Sequence, residues 1–382
     1  MASNWCSCTK CHAGYGWKDE AFVVCGKGNG FDFSDTSRID CLVCHDTTGT
    51  YDKKKNTCGQ PNPSVDLADV AGKVGLPGRS NCGTCHWYGG GGNNVKHGDM
   101  DSALADPSRD HDVHMGGCDF TCQECHYTEN HKIAGRSTTS SVSEGSVACT
   151  DCHSPRPHQP DAGLQMQLND HGAAIACETC HIPEYAKESM TTMLWDWSKS
   201  GGKDKVLEKT DKMKKLISKN KGLLIKEKNL KPSYDWYNGI HKRYLKGDQV
   251  NMKGVTYLNH PRGSINDPKA KITPYKLMTG IVPADAEKGY LVVPKLFGSD
   301  GYFKHFNWEK AARDGMAEAC LDFSGKVSFV ETVMHWRLTH GVAPKEKALS
   351  CLSCHGRDSV MDFEKLGYKG DPAVIGGRKC TP

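Results

Sequence analysis

No stretch of this 382-residue chain is apolar for long enough to cross a membrane, and Met1 is not followed by a signal-peptide pattern. The first absence argues against a transmembrane helix, and the second makes the chain read as a mature or truncated form of an exported protein. Apolar side chains are scarce: 37% of residues are hydrophobic and 8% aromatic, against 41 glycines. A chain of this length ordinarily carries two or three domains with cores of Leu, Ile and Phe. Here another source of apolar surface is expected, and without it the chain should be largely disordered. Charge is nearly balanced, at a net +4. The densest basic stretch, Lys203 to Lys231, holds 11 lysines against four acids with no aromatics among them, which argues against nucleic-acid binding. Its Val206, Leu207, Met213, Leu216, Ile217 and Leu223 fall as in an amphipathic helix with a solvated lysine face, a reading favoured over a docking surface for an anionic partner.

Cysteine, by contrast, is abundant, and 14 of the 20 residues fall into seven copies of Cys-x-x-Cys-His. These are Cys8/Cys11/His12, Cys41/Cys44/His45, Cys82/Cys85/His86, Cys122/Cys125/His126, Cys149/Cys152/His153, Cys177/Cys180/His181 and Cys351/Cys354/His355. Cysteines at i and i+3 share one face of a helical turn and can bond both vinyl groups of one porphyrin, while the next histidine is placed under the iron. Zinc sites do not require a histidine after every pair, and a thioredoxin-like motif would occur once, near a βαβ pattern. Seven c-type haems are therefore expected, and porphyrin is the missing apolar material. Haem attachment places the chain outside the cytoplasm, in the periplasm or the extracellular space, where Cys6, Cys25, Cys58, Cys118, Cys320 and Cys380 can form up to three disulfides or remain thiols.

Motif starts are separated by 33, 41, 40, 27, 28 and 174 residues, too unevenly for an internal repeat. The segments between the early motifs are rich in Gly, Ser, Asp and Thr and read as loops that wrap haems. The expected fold is mainly α and irregular, with short helices at the motifs and little β. Three regions are expected: 1–190 with six haems, a haem-poor helical and coil insert over 191–345, and 346–382 with the seventh haem. Each low-spin haem needs a second strong ligand. The histidines outside the motifs, His97, His111, His114, His131, His158, His171, His241, His260, His305, His335 and His340, are more than sufficient in number.

Ser3-Asn4-Trp5 leading into Cys8–His12 and Ala13–Asp19, the run Asp40–Tyr51, Asn81–His86 with its glycines, Asn130–Arg136 and Leu338–Leu349 together resemble the octahaem tetrathionate reductase family over nearly the whole chain. That resemblance implies a haem at Cys8/Cys11/His12 whose second ligand is a lysine amine, here Lys53, after the Thr-Gly-Thr-Tyr run. An amine must be neutral to donate a lone pair, and it is more displaceable than imidazole. Carried over residue by residue, the resemblance gives the distal histidines as His97, His114, His131, His158, His171 and His340, leaving His111, His241, His260, His305 and His335 in other roles. The chain departs from the family in two places. The family's first motif and an active-site cysteine would lie upstream of Met1, and Met278 stands where a haem-binding histidine is expected. A seven-haem variant is the reading of that double difference. Cys6 either replaces the missing cysteine or enters a disulfide, and Cys25 and Cys58 form a candidate pair.

Two functions stay open at this point. In one, electrons reach the lysine-ligated haem and reduce a small sulfur or nitrogen oxyanion, of the kind that relatives reduce (tetrathionate, nitrite, hydroxylamine). Lys53 then moves aside, His12 holds the iron, and Asp46 or a lysine delivers protons. In the other, haem-to-haem transfer is the whole function, and the protein docks with redox partners or other cytochrome subunits or forms a homo-polymeric filament. Intact-mass measurement of the native protein is expected to show seven haems, and an eighth would overturn the seven-haem reading.

Overall fold

The computed structural model describes residues 36–53, 59–133 and 147–378. The motif at Cys8/Cys11/His12 and residues Cys6, Cys25, Cys58 and Cys380 lie outside the described residues.

The expectation of a mainly α and irregular fold with little β is overturned. A nine-stranded mixed sheet dominates the second half of the chain. Its strands are β3 (Thr191–Asp196), β4 (Lys205–Lys209), β5 (Met213–Ser218), β6 (Gly222–Glu227), β7 (Ser233–Tyr237), β8 (His241–Arg243), β9 (Thr256–Pro261), β10 (Lys271–Asp285) and β11 (Val327–Arg337). The order is β4-β5-β6-β3-β10-β11-β9-β8, with β7 also paired to β10. The long β10 is central: it runs antiparallel to β11 from Tyr275↔Arg337 to Asp285↔Val327, and parallel to β3 at Thr279–Ile281. A two-stranded hairpin, β1 (Thr128–Glu129) with β2 (Lys132–Ile133), stands apart.

The lysine-rich segment expected to be an amphipathic helix is the antiparallel meander β4-β5-β6. Its apolar residues come in short clusters, Val206-Leu207, Leu216-Ile217 and Leu223-Leu224-Ile225. They are separated by turn residues, with Gly222 at φ 79° where the chain must enter the left-handed region. Every residue of the outer strand β4 is exposed, and its lysines discourage pairing with another sheet edge. The segment 191–345, expected as helix and coil, is thus mostly strand. It also carries α6 (Tyr302–His305) and α7 (Trp308–Glu318).

The motifs themselves are short helical turns, as their spacing requires. They form α1 (Cys41–His45), the end of α3 (Arg79–His86), α5 (Cys177–His181) and α8 (Cys351–His355). At Cys122 and Cys149 the turn is 3-10, closed by His126 and His153 donating their backbone N–H to Cys122 and Cys149 carbonyls at 2.8 Å. Capping explains where several start: the Asp40 carboxylate accepts from Leu42 N at 3.2 Å, and the Ser350 hydroxyl from Ser353 N at 3.2 Å.

The motif-bearing half is fastened to one face of the sheet. Val95 packs with Trp195, Leu224, Met278 and Trp336, and fully buried Lys276 reaches across to donate to the carbonyls of Val95 (3.2 Å) and Lys96 (2.6 Å) and to the Thr191 hydroxyl (2.5 Å). Gly98, at φ 93°, lets the chain pass Tyr185 and Lys276 where a Cβ would come within 2.8 Å of the tyrosine ring. At the far end of β10, the buried carboxylate of Asp285 accepts from the N–H groups of Glu287, Lys288 and Ser324 at 2.7–2.9 Å. Burial pushes its pKa up, but these hydrogen bonds outweigh burial and hold it below the ordinary value. Asp285→Ala should lower unfolding stability by about 2–3 kcal/mol. Because the folded pKa is depressed, the carboxylate's contribution is full above about pH 4 and is lost as pH falls through the depressed value. Asp285→Asn should therefore flatten the acid limb of stability, as read by thermal melts of the holoprotein.

Candidate metal centres

Four pairs of histidine rings face each other across a gap. Centroids lie 6.2 Å apart for His45 and His131, 6.0 Å for His114 and His153, 6.2 Å for His126 and His340, and 6.1 Å for His171 and His355. These distances are too long for ring contact or for a hydrogen bond. An iron bound at about 2 Å by each of two imidazoles would hold their centroids roughly 6.3 Å apart. The residues therefore fit a six-coordinate haem iron at each pair. Each pair joins a motif histidine to one of the six histidines expected as distal ligands. His97 and His86 are electrostatic neighbours, as are His158 and His181. Among the described residues no cluster of three or more His, Cys, Asp or Glu assembles as a zinc site would.

Each facing ring is delivered by a local device. His131 occupies the two-residue turn of the β1–β2 hairpin, where Asn130 and His131 both have positive φ (49° and 62°), as a primed turn demands. His171 ends α4 (Gly163–His171), and His340 follows β11 directly. The ring nitrogens away from the gaps are held as well. His45 Nδ1 lies 2.8 Å from the Gly75 carbonyl, His158 Nδ1 3.0 Å from Asn169 Oδ1, and His355 Nδ1 2.7 Å from Asp371 Oδ1. Asp371 is itself fixed as the N-cap of α9 (Pro372–Ile375). Fully buried Asp99 accepts through Oδ2 from the backbone of Thr339 (2.8 Å) and His340 (3.0 Å), and contacts His340 Nδ1 at 3.2 Å. Such partners set tautomer, orientation and ligand basicity. Asp40, Asp99, Asn169 and Asp371 were missed in the sequence. Asp40 and Asp371 had a readable signal as residues capping a turn, whereas Asp99 had none.

The motif thiols form a series in chain order. Cys44 neighbours Cys82, Cys82 bonds Cys122, Cys125 neighbours Cys152, Cys149 bonds Cys177, and Cys180 neighbours Cys351 and Cys354. The two cysteines expected as equivalent haem anchors in α3 differ in their surroundings. Cys82, in the middle of the helix, carries these contacts to Cys44 and Cys122, whereas Cys85 lies half-buried in the last turn, directly before His86. The difference arises because three residues of helix turn the chain by less than a full circle, so the two thiols face different neighbours while still sharing one side of the turn. Exposed apolar side chains accompany the motif thiols: Leu76 is 89% exposed, and Leu352, inside the last motif, 76%. A porphyrin edge would cover them. Cys118 is a free thiol and Cys320 is disulfide-bonded.

The residues expected to be catalytic are less simply arranged. Lys53 is buried, and its Nζ lies 2.5 Å from Asp40 Oδ2, which also accepts from the Tyr51 hydroxyl at 2.5 Å. Asp46 is buried and accepts from Thr48 N, the Thr48 hydroxyl and Tyr51 N at 2.7–3.1 Å, a structural turn. Burial pushes its pKa up, but the bonds from Thr48, Tyr51 and Gly49 prevail and lower it. His12, the expected iron ligand beside them, is outside the described residues. Of the five histidines left over, His305 and His260 contact backbone carbonyls, while His111, His241 and His335 are buried or half-buried.

A scaffold of paired histidines and serial Cys-x-x-Cys-His turns defines a multihaem c-type cytochrome. The bacterial cytochrome c family profile matches residues 192–358. Among solved structures the chain is similar to an octaheme cytochrome c from Shewanella oneidensis, with 43% identity and a TM-score of 0.84 over 97% of this chain and 82% of that one. The chain belongs to that family of multihaem cytochromes c, and it transfers electrons through c-type haem. No curated protein matches it.

The ring geometry separates two kinds of centre. Planes are within 24° of parallel for His126/His340 and His171/His355, but crossed by 69° and 62° for His45/His131 and His114/His153. Electron paramagnetic resonance of the oxidised protein should resolve both kinds of low-spin signal. Asp99→Asn, which keeps an acceptor for the backbone but removes the charge behind His340, should raise one haem's potential by roughly 60 mV, the one-electron equivalent of a tenfold shift.

Proposed function

We propose that the chain is an electron conduit with seven haems, which passes electrons between motifs in the order in which they occur along the sequence. Six irons are bis-histidine, with His45 paired to His131, His86 to His97, His126 to His340, His153 to His114, His181 to His158 and His355 to His171. The observation that carries this reading is the series of neighbouring thiols from Cys44 to Cys354. Haems attached to consecutive neighbouring motifs are close enough to hop between, and two strong ligands keep each iron low-spin and closed to substrate. The setting is extracytoplasmic, where c-type haem is attached and the Cys320 disulfide persists. The partners are other redox proteins.

A second reading is favoured by the burial of Lys53. It places a displaceable amine on the haem of Cys8, Cys11 and His12, where a small sulfur or nitrogen oxyanion is reduced. As a ligand Lys53 must be neutral, and its proton then passes to Asp40 Oδ2, the carboxylate already in contact with it. Asp40 rather than Asp46 is thus the nearer proton carrier, since Asp46 is committed to backbone donors.

His340→Ala should convert one haem to high spin and slow complete reduction of the holoprotein from one end at least tenfold. Undiminished transfer would remove the serial order. Lys53→Ala should change the visible spectrum of a single haem and open it to cyanide; an unaltered spectrum would sink the second reading and leave the conduit standing.

A further inference from the structure

On the sheet face away from Lys276 and Trp336, β10, β11, β7 and β8 bring together polar groups that the electron path does not use. Cross-strand register places Tyr275 opposite Arg337, Leu277 opposite His335, Thr273 opposite Asp235 and Lys271 opposite Tyr237, so these odd-numbered side chains share one face. The Arg337 guanidinium lies 5.1 Å from the Tyr237 ring centroid, Tyr237 is 4.7 Å from His241, and His241 is 6.0 Å from Tyr275. Glu178, within the motif Cys177–His181, accepts from one terminal nitrogen of Arg337 at 2.7 Å.

That single ion pair leaves the cluster short of acceptors. Arg337 Nε and Nη1, both nitrogens of His241 and the hydroxyl of fully buried Tyr275 are shielded from water and have no hydrogen-bond partner. Buried donors without partners cost about 1–3 kcal/mol each, more when charged, so such a concentration marks a place for a missing acceptor. Burial, with His335 and Arg337 beside it, pushes the His241 pKa down to about 4, so its ring is neutral and donates from one nitrogen. Arg243 adds positive charge close to His241, and Lys271 lies beside the Cys177 thiol. Asp235 is directed at His335, 3.7 Å from its Nε2.

We infer that Arg337, Tyr275 and His241 form a binding site for an anionic oxygen group, with Arg337 supplying charge-assisted hydrogen bonds and the tyrosine hydroxyl and imidazole N–H completing the coordination. The chemistry is that of a carboxylate or small oxyanion. Two sources could supply it: a propionate of the haem attached at Cys177, whose motif helix carries Glu178, or a free anion from solution.

Inorganic sulfate titrated calorimetrically into the oxidised holoprotein at low salt separates the sources. A free-anion site gives saturable one-to-one binding, weakened at least tenfold in Arg337→Gln and severalfold in Tyr275→Phe. A propionate site gives no sulfate binding, but Tyr275→Phe and Arg337→Gln each shift the midpoint potential of one haem and leave the rest unchanged. Tyr275→Phe removes only a hydroxyl and keeps the packing, so it remains informative where Arg337→Gln disturbs the Glu178 pair. Absence of both the sulfate site and the single-haem shift would overturn the inference. Neither outcome depends on which haem receives or releases electrons.

Discussion

Imidazole rings that face each other across about 6 Å cannot hold one another in place, because that separation is beyond contact and beyond a hydrogen bond. Something must bridge them, and under the proposed ligation each iron becomes a cross-link between distant segments. His126 is tied to His340, and His171 to His355, from opposite halves of the chain. Closing loops of that length costs the unfolded chain more entropy than closing short ones, though only logarithmically so. The thioether bonds hold one side of each cross-link covalently, leaving only the distal histidine to find its place. The same porphyrins cover side chains such as Leu76 and Leu352, for which the protein provides no apolar neighbour layer. A chain with few hydrophobic residues can then be stable, because its second core is prosthetic.

The sheet supplies what the haems do not, a rigid frame with the precision that ligation needs. β11 ends next to His340, and buried Asp99 catches both its backbone and its ring. Lys276 directs all three of its donors to the segment 95–96 and Thr191, so that the chain just before His97 is clamped to β10. A ligand displaced by even a fraction of an ångström would detune the iron, and hydrogen bonds made behind the ring resist that displacement. Unequal partners, carboxylate at His340 and His355, carbonyl at His45 and amide at His158, also give each centre a different electrostatic setting. Potentials graded along a series need such differences.

The sheet itself was poorly legible. The segment from Lys203 to Lys231 carries apolar residues at spacings that satisfy a helical template, yet the clusters are only two or three residues long and end in turns. A helix would have exposed half of them; three short strands bury Leu224 against Trp195 and Trp336. β10 is hard to recognise for another reason. It is covered on much of both faces, so it lacks clean alternation, and Pro274 and Pro283 within it speak against a strand. The polar face of Arg337, Tyr275 and His241 has no sequence signature at all, since its members come from three strands.

The haem motifs were legible because their chemistry is local: two thioethers and one ligand fit within five consecutive residues, and one helical turn suffices to aim them. The stock of six further histidines could likewise be named from residues and resemblance. Which ring meets which is different in kind, because the partners lie tens to hundreds of residues apart. Only the packing of β11, the Asn130-His131 turn and the helix ending at His171 brings each to its place. The charge state of Lys53 is also a tertiary matter. Neighbouring lysines in sequence look alike, and what distinguishes this one is burial against Asp40 and Tyr51, a contact made across a fold and invisible along a chain.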